Sequence, residues 1–387
     1  MPAMPRFMRR TGSGEPFGTT NLELFYDLVF VFAITQVSHL LIGDLTWRGA
    51  AHAAVALLVV WWAWQYTTWV TNELDPDSHL VQLLLIGLML ASLLMAIAIP
   101  RAFGARALLF AVSYVAIQVG RHTFLTFAAA ERGSLERDRA ERILIWFCAA
   151  GVLWIAGALA HGGARTVLWI AALAVDYCAP LVTYWVPGLP RVPPEAWEVS
   201  TGHFAERFGL FVLIALGESI VVTGATTSEL SLDLATVSAF AGAFLATAAL
   251  WWLYFASVAR LSERALAAAD HRTLLARDAY TYGHILIIAG IILTAVGDEI
   301  VIKHPTVDLT TAELMAVVAG PTVYLLAQAA LRLRMTGTLS PRRLMAAAAC
   351  IVVGLAGTAL PGLAIGGLLL AVLAGLVTAD LIVAARR

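Results

Sequence analysis

Charged residues are scarce in this chain. Asp, Glu, Lys and Arg make up 13% of its 387 residues, against about 25% in a typical soluble domain. Hydrophobic residues make up 60%, and the mean hydropathy is +0.82. This apolar excess is too large for the core of one water-soluble domain, so the composition predicts an integral membrane protein.

Other features are absent as well. The net charge of -1 excludes the strong basic bias of proteins that bind nucleic acid. The three cysteines, Cys148, Cys178 and Cys350, lie far apart in apolar runs and are interpreted as small core residues, not as disulfides or zinc ligands. The chain has no Walker A loop and no GxGxxG, GxSxG or HExxH motif. We therefore expect no metal and no cofactor, and an enzyme is the less favoured interpretation.

Long apolar runs are what the chain has in abundance. A helix needs about 20 mostly apolar residues to cross a bilayer, and turn residues separate twelve stretches of that kind. The predicted spans are 22–42, 48–71, 79–100, 105–130, 141–161, 165–187, 203–225, 233–258, 278–302, 311–334, 341–359 and 361–385. The predicted fold is an all-α polytopic membrane protein with about twelve transmembrane helices.

The distribution of basic residues predicts the orientation. With the N-terminus in the cytoplasm, 18 of the 25 Lys and Arg residues fall in cytoplasmic segments and five in outer loops. This is the asymmetry of the positive-inside rule. The sequence before the first span lacks the pattern of a cleaved signal peptide, so we expect a cytoplasmic tail there. Both termini are therefore predicted to be cytoplasmic.

The two halves of the chain resemble each other. ELFYDLVFVFAITQ begins at Glu23 and ERFGLFVLIALGES begins at Glu206, 183 positions later. A Trp-Trp pair, an aspartate and a glycine also recur in order: Trp61-Trp62 and Trp251-Trp252, Asp75 and Asp278, Gly87 and Gly290. Six spans in each half give both halves the same orientation, which predicts two parallel repeats. The predicted segments are the tail 1–21, the repeats 22–187 and 203–387, and a cytoplasmic linker 188–202.

Two carboxylates open the first span. Glu23 and Asp27 are four residues apart and share one helix face, and a carboxylate inside the bilayer needs a partner, a proton or water. In the fourth span Tyr114, Gln118 and Arg121 form one polar stripe. We expect Asp27 or Glu23 to pair with Arg121, which lies at a similar depth, as an inner gate or substrate clamp. A purely structural ion pair is the alternative.

The seventh span carries three polar residues on one face, His203, Arg207 and Glu218. Glu218 lies ~16 Å above Arg207 along the helix, near mid-membrane, where a protonatable carboxylate is a common basis of proton coupling. It is the first candidate for a proton-carrying group. Arg207 is expected to balance Glu206 or a lipid headgroup, with Glu206 and Glu23 as interfacial residues.

Three further residues are candidates for proton coupling or substrate binding. His284 follows Tyr280 by four positions in the ninth span, and Glu299 lies near its outer end. Asp176 lies at mid-depth in the sixth span, where a lipid-facing position is unfavourable. Glu299 has an alternative interpretation as an ordinary outer-interface charge.

Three strings resemble the low temperature requirement A (LtrA) family of bacterial membrane proteins: ELFYDLVFVFAITQ with its following Ser38-His39, ERFGLFVLIALGES, and YGHILIIAGIILTAVGDE. With the twelve-span pattern, the resemblance extends over nearly the whole chain. The family's motif positions fall on Glu23, Phe25, Asp27, Glu206, Arg207, Gly217, Glu218, His284, Gly297 and Glu299. The resemblance implies the bacterial cytoplasmic (inner) membrane and a link to growth in the cold. It supplies no biochemical activity.

Duplicated halves, midplane carboxylates and the lack of an energy-consuming motif favour a proton-coupled secondary transporter. Its substrate would be a small molecule or a lipid-like compound, moved through a central cavity lined by the first, fourth, seventh and ninth spans. An intramembrane enzyme using Asp27, His284 and Glu218 is one alternative, and a lipid-binding sensor or scaffold linked to cold adaptation is another. Membrane lipids are the expected neighbours, nucleic acid is excluded, and homodimer formation is left open.

Overall fold

The computed structural model describes residues 7–8, 18–193 and 200–386. Most of the predicted tail 1–21 and the middle of the predicted linker 188–202 lie outside the described residues. Within the described ranges every regular element is a helix. The helices are α1 Asn21–Ile42, α2 Trp47–Thr71, α3 His79–Ala98, α4 Ala107–Phe124, α5 Leu135–Leu159, α6 Gly163–Cys178, α7 Thr201–Ser228, α8 Leu234–Leu253, α9 Arg260–Ala268, α10 Arg272–Ala276, α11 His284–Lys303, α12 Thr311–Thr336, α13 Pro341–Ala356 and α14 Gly362–Ala385.

The helix bounds confirm the all-α polytopic prediction. Among the described residues, 11 helical segments are long and apolar enough to cross a membrane, and each coincides with a predicted span. The exception is the predicted span 165–187, because α6 has 16 residues and is only about 24 Å long at 1.5 Å per residue. The chain turns after Cys178, and Thr183 and Tyr184 adopt positive φ angles of 53° and 52°, which no continuing helix allows.

Three helical runs contain a π-helical segment. Leu125–Ala129 extends α4, Tyr254–Ala259 joins α8 to α9, and Arg277–Gly283 joins α10 to α11. The eighth and ninth predicted spans therefore continue beyond their predicted ends, as the runs Leu234–Ala268 and Arg272–Lys303. Such π turns are rare and occur frequently at functional sites.

The chain divides into two compact units. The first comprises Met1–Val37, Ala54–Arg207 and His271–Arg277, and the second comprises Ser38–Ala53, Phe208–Asp270 and Asp278–Arg387. Helices α3 to α6 lie wholly in the first unit, and α8, α9 and α11 to α14 lie wholly in the second.

Side-chain caps fix where several helices begin. At α1 the Thr20 Oγ1 accepts a hydrogen bond from the Glu23 N–H at 3.3 Å, and Glu23 Oε2 accepts one from the Thr20 N–H at 2.9 Å. This reciprocal pair is a capping box, and Thr310 with Glu313 forms a second one at α12. The capping box holds Glu23 in the first turn of α1.

In the second unit α11 and α12 pack at very close range. A Cβ placed on Gly290 would lie 2.6 Å from the Tyr324 backbone nitrogen, and one on Gly320 would lie 2.4 Å from that of Thr294. Small residues allow such close backbone approach between membrane helices. The two helices therefore form a tightly packed pair.

The cysteine prediction is wrong for two of the three residues. Cys148 and Cys178 are exposed on the helix surface, and only Cys350 is buried. An apolar run does not distinguish the face of a helix that packs inward from the face that meets lipid, because both are apolar in a membrane protein.

Candidate functional site

A cluster of four ionisable side chains is buried in the first unit. Glu23 and Asp27 come from α1, and His203 and Arg207 come from α7. The side chains of Glu23, His203 and Arg207 are 0% exposed, as is that of Asp27. Two carboxylates, one guanidinium and one imidazole are therefore removed from solvent together; we call these four residues the α1–α7 cluster.

Direct hydrogen bonds and ion pairs join the members of the cluster. Glu23 Oε1 lies 3.0 Å from His203 Nε2 and 3.1 Å from Arg207 Nη1, and Arg207 Nη2 lies 2.6 Å from Asp27 Oδ1. Asp27 Oδ1 also accepts a hydrogen bond from Trp64 Nε1 at 2.7 Å. The guanidinium therefore bridges the two carboxylates.

Polar side chains at the end of α2 complete the surroundings. His203 Nδ1 lies 3.3 Å from Asn72 Oδ1, and Arg207 Nη1 donates to Thr71 Oγ1 at 3.4 Å. Asp27 Oδ2, by contrast, has no hydrogen-bond partner among the described residues. The cluster thus retains one acceptor oxygen that no described protein group uses.

The pairing is regular along the two helices. Glu23 meets His203 and Asp27 meets Arg207, and both pairs are 180 residues apart. Because the two side-chain pairs follow each other in the same direction along both helices, α1 and α7 run parallel at this point. Both helices then start on the same side of the membrane, which requires an even number of crossings between them. If α1 to α5 each cross the membrane once, the parallel arrangement predicts that the short helix α6 crosses as well.

The predicted partners of two arginines are wrong. Arg207 was expected near Glu206 or a headgroup, but it is fully buried between Glu23 and Asp27. Glu206 is exposed and accepts a hydrogen bond from the Thr19 N–H at 3.1 Å, while Glu23, expected at the interface, is buried. The position of a residue along its helix predicts its depth in the membrane. Which residues of similar depth come into contact depends on how each helix is rotated about its axis.

Arg121 does not pair with a carboxylate in the described part of the chain. Its Nη1 donates to Thr67 Oγ1 at 2.8 Å and to the Ala63 carbonyl at 3.2 Å, and its Nη2 donates to Gln118 Oε1. The polar stripe Tyr114, Gln118 and Arg121 is buried as predicted. The stripe prediction is confirmed, and the expected pair of Arg121 with Asp27 or Glu23 is wrong.

Asp176 forms a separate buried site in the first unit. Its Oδ2 accepts hydrogen bonds from Tyr114 Oη at 2.9 Å and from Trp154 Nε1 at 3.0 Å. Trp154 was not singled out from the sequence, because tryptophan in a membrane helix usually indicates an interface position. Burial of Asp176 agrees with the expectation that it does not face lipid.

The remaining candidates lie in the second unit. His284 Nδ1 donates to the Ala279 carbonyl at 3.0 Å, so its Nε2 accepts from Tyr254 Oη at 2.9 Å, and the Tyr280 ring stacks on the imidazole. Glu299 pairs with Lys303 at 2.6 Å. Glu218 is buried in α7, about three turns beyond Arg207. None of these three is a member of the α1–α7 cluster.

The helices and the buried charges together define a multi-pass α-helical membrane protein with an ionisable core. The chain matches the family model described as bacterial low temperature requirement A protein (LtrA) over residues 19–378, and it belongs to that family. An uncharacterized protein of Rhizobium meliloti (strain 1021) is 40% identical over 305 residues, which cover 78% of this chain and 74% of that protein. No solved structure matches the chain.

Proposed function

We propose that the protein is a proton-coupled secondary transporter of a small organic or lipid-like molecule, and that the α1–α7 cluster binds the coupling proton. The observation that carries this proposal is the composition of the cluster: two carboxylates and one obligate cation are buried with a single imidazole. With a neutral His203 the cluster has a net charge of -1, and one added proton makes it neutral. Because a net charge is costly inside a membrane protein, the cluster favours binding that proton.

Glu218 remains a second candidate for the proton-carrying group. It is buried in α7, the same helix that supplies His203 and Arg207. His284 gives no support to the enzyme alternative. Both of its ring nitrogens already form hydrogen bonds, one with Tyr254 and one with a backbone carbonyl.

Proteoliposomes loaded with a pH-sensitive dye test the proposal. The purified protein is reconstituted and exposed to inward gradients of a panel of organic acids, amino acids, sugars and lysolipids. A proton-coupled transporter changes the luminal pH with at least one of them, and His203→Gln and Glu218→Gln identify the group that carries the proton. Solute uptake by the wild-type protein with no change in luminal pH would refute proton coupling.

We also propose that the halves are internal repeats. Tyr114 and Gln118 in α4 have counterparts in Tyr324 and Gln328 in α12, both offset by 210 residues. Gln118 Oε1 accepts from Arg121, and Gln328 Oε1 accepts from Arg343 Nε at 2.8 Å. An experimental structure in which residues 22–187 and 203–387 superpose helix for helix would support the proposal.

The protein is further proposed to lie in the bacterial cytoplasmic membrane with both termini cytoplasmic, as the distribution of Lys and Arg favours. Many large apolar side chains are exposed along its helices, for example Leu83, Ile86 and Leu90 on α3. Membrane lipids are the proposed neighbours of these faces, and a second copy of the chain is the alternative neighbour for some of them.

A further inference from the structure

Arg121 is a buried cation without a counter-ion in the described part of the chain. Its side chain is 0% exposed, and the described carboxylates form no ion pair with it. Burying an unpaired ionised group is costly, and such a residue in a membrane helix faces a partner or a pathway. The missing partner of Arg121 therefore requires an explanation.

Two hydrogen-bond donors of this site find no acceptor in the described part of the chain. Arg121 Nε and Gln118 Nε2 are both buried and lack a hydrogen-bond partner among the described residues. Arg121 Nη1 uses both its hydrogens on Ala63 and Thr67, but Nη2 uses only one, on Gln118. One edge of the Arg121 guanidinium and the Gln118 amide nitrogen thus carry several hydrogen-bond donors that no acceptor among the described residues satisfies.

Another buried arginine of the same unit provides the comparison. Arg165 is 8% exposed and forms no carboxylate pair in the described residues, but all three of its nitrogens donate to backbone carbonyls. Phe103, Gly157 and Ala160 supply three of these oxygens, at 2.7 to 3.3 Å. Arg165 is therefore a structural residue whose donors are satisfied, whereas Arg121 retains unused donors.

Two aromatic rings lie beside the Arg121 guanidinium. The Arg121 guanidinium carbon lies 5.5 Å from the Tyr66 ring centroid and 6.0 Å from that of Phe147, and the His122 ring contacts both of these rings. Such surroundings favour an apolar or aromatic body over a strongly hydrated inorganic ion. After Phe124, two residues beyond His122, the helix changes to the π-helical segment Leu125–Ala129, a feature frequent at functional sites.

We propose that Arg121 and Gln118 bind the carboxylate of a small organic acid whose apolar body packs against Tyr66 and Phe147. A guanidinium edge matches the two oxygens of a carboxylate, and the bound anion supplies the counter-charge that Arg121 lacks. The assignment of this acid as the transported substrate rests on the proposed transport function. The binding of the acid at this site does not rest on that function. Transport of the carboxylate together with one proton would move no net charge across the membrane.

The test uses benzoate as the probe and isothermal titration calorimetry of the full-length protein in detergent, without any gradient. We expect the wild-type protein to bind benzoate and Arg121→Met to weaken binding by at least about tenfold, the loss expected for a charge-assisted hydrogen bond. Gln118→Leu weakens binding less, and Arg165→Gln is the matched control that leaves affinity unchanged. Since Arg121→Met removes an uncompensated charge, its thermal unfolding midpoint without benzoate should equal or exceed that of the wild-type protein.

Three results would overturn the anion site. They are no benzoate binding by the wild-type protein at millimolar concentration, equal binding by Arg121→Met, and binding of chloride with the same Arg121 dependence but not of benzoate. Arg121-dependent benzoate binding, together with protein-dependent solute uptake that leaves the luminal pH of the proteoliposomes unchanged, would support the site and refute the proposed proton coupling. The two proposals therefore fail separately.

Discussion

At the residue scale, the burial of the charges is the dominant feature. Arg207 is in contact with two carboxylates, and no member of its cluster is exposed. Removal of one partner from a buried ion pair leaves an uncompensated charge, whereas an exposed pair contributes little because water screens it. Removal of one partner therefore lowers the free energy of unfolding more at a buried ion pair than at an exposed one.

Arg207→Gln should destabilise the protein strongly, by about 3–5 kcal/mol, because Asp27 and Glu23 would then lose the guanidinium that both contact in the buried cluster. Arg334→Gln is the matched control: its pair with Asp278 is similarly short, 2.7 Å, but the Arg334 side chain is 49% exposed, so the loss should be about 0–1 kcal/mol. Unfolding by SDS titration of the purified variants measures both. Equal losses for the two variants would contradict the prediction.

The sequence predicted which polar residues are buried better than it predicted their partners. Asp27, Arg121 and Asp176 were expected inside the protein, and all three are buried. The pairing of Arg207 was missed, although a signal was present. Glu23 and Asp27 are four residues apart, as are His203 and Arg207, and this equal spacing allows two successive pairs between parallel helices.

At the element scale, close backbone packing distinguishes helices that resemble each other in sequence. Gly290 on α11 lies directly against the backbone of α12, whereas Gly87 on α3, its predicted repeat counterpart, has no atom within 4 Å of the site where a Cβ would be. The two glycines, counterparts in the proposed repeats, therefore lie in different environments.

Gly290→Ala should separate α11 from α12 and cost about 1–3 kcal/mol, as overpacking does. Gly87→Ala should be neutral or stabilising by up to about 1 kcal/mol, since alanine is the better helix former and the added methyl group meets no neighbour. Thermal unfolding midpoints of the two purified variants compare them directly. A loss at Gly87 equal to that at Gly290 would show that packing is not the cause.

At the scale of the whole molecule, α6 decides the topology. Its 16 residues are fewer than the length usually needed to span a bilayer. The parallel order of the two side-chain pairs between α1 and α7 nevertheless predicts that α6 crosses, if each of the five preceding helices crosses once. The proposed repeats also differ in the burial of their Trp-Trp pairs. Trp61 and Trp62 are buried, whereas Trp251 and Trp252 are about 40% exposed.

Cysteine labelling tests whether α6 crosses. His161→Cys, before α6, and Leu189→Cys, after it, are placed in a variant without the three native cysteines, and intact cells are treated with a membrane-impermeant maleimide. If α6 crosses and both termini are cytoplasmic, position 161 is labelled and position 189 is not. Labelling of both positions from the same side would show that α6 does not cross.

The sequence by itself determined the class of protein, the approximate bounds of most helices, and the burial of Asp27, Arg121 and Asp176. These follow from length, hydropathy and the cost of an exposed charge in lipid, all of which act along the chain. Only the tertiary structure decided that Arg207, and not Arg121, pairs with the carboxylates of α1, and that Gly290 but not Gly87 lies against a neighbouring helix. Partners depend on how each helix is rotated about its axis, and in lipid both the inward and the outward faces are apolar, so hydropathy does not specify that rotation.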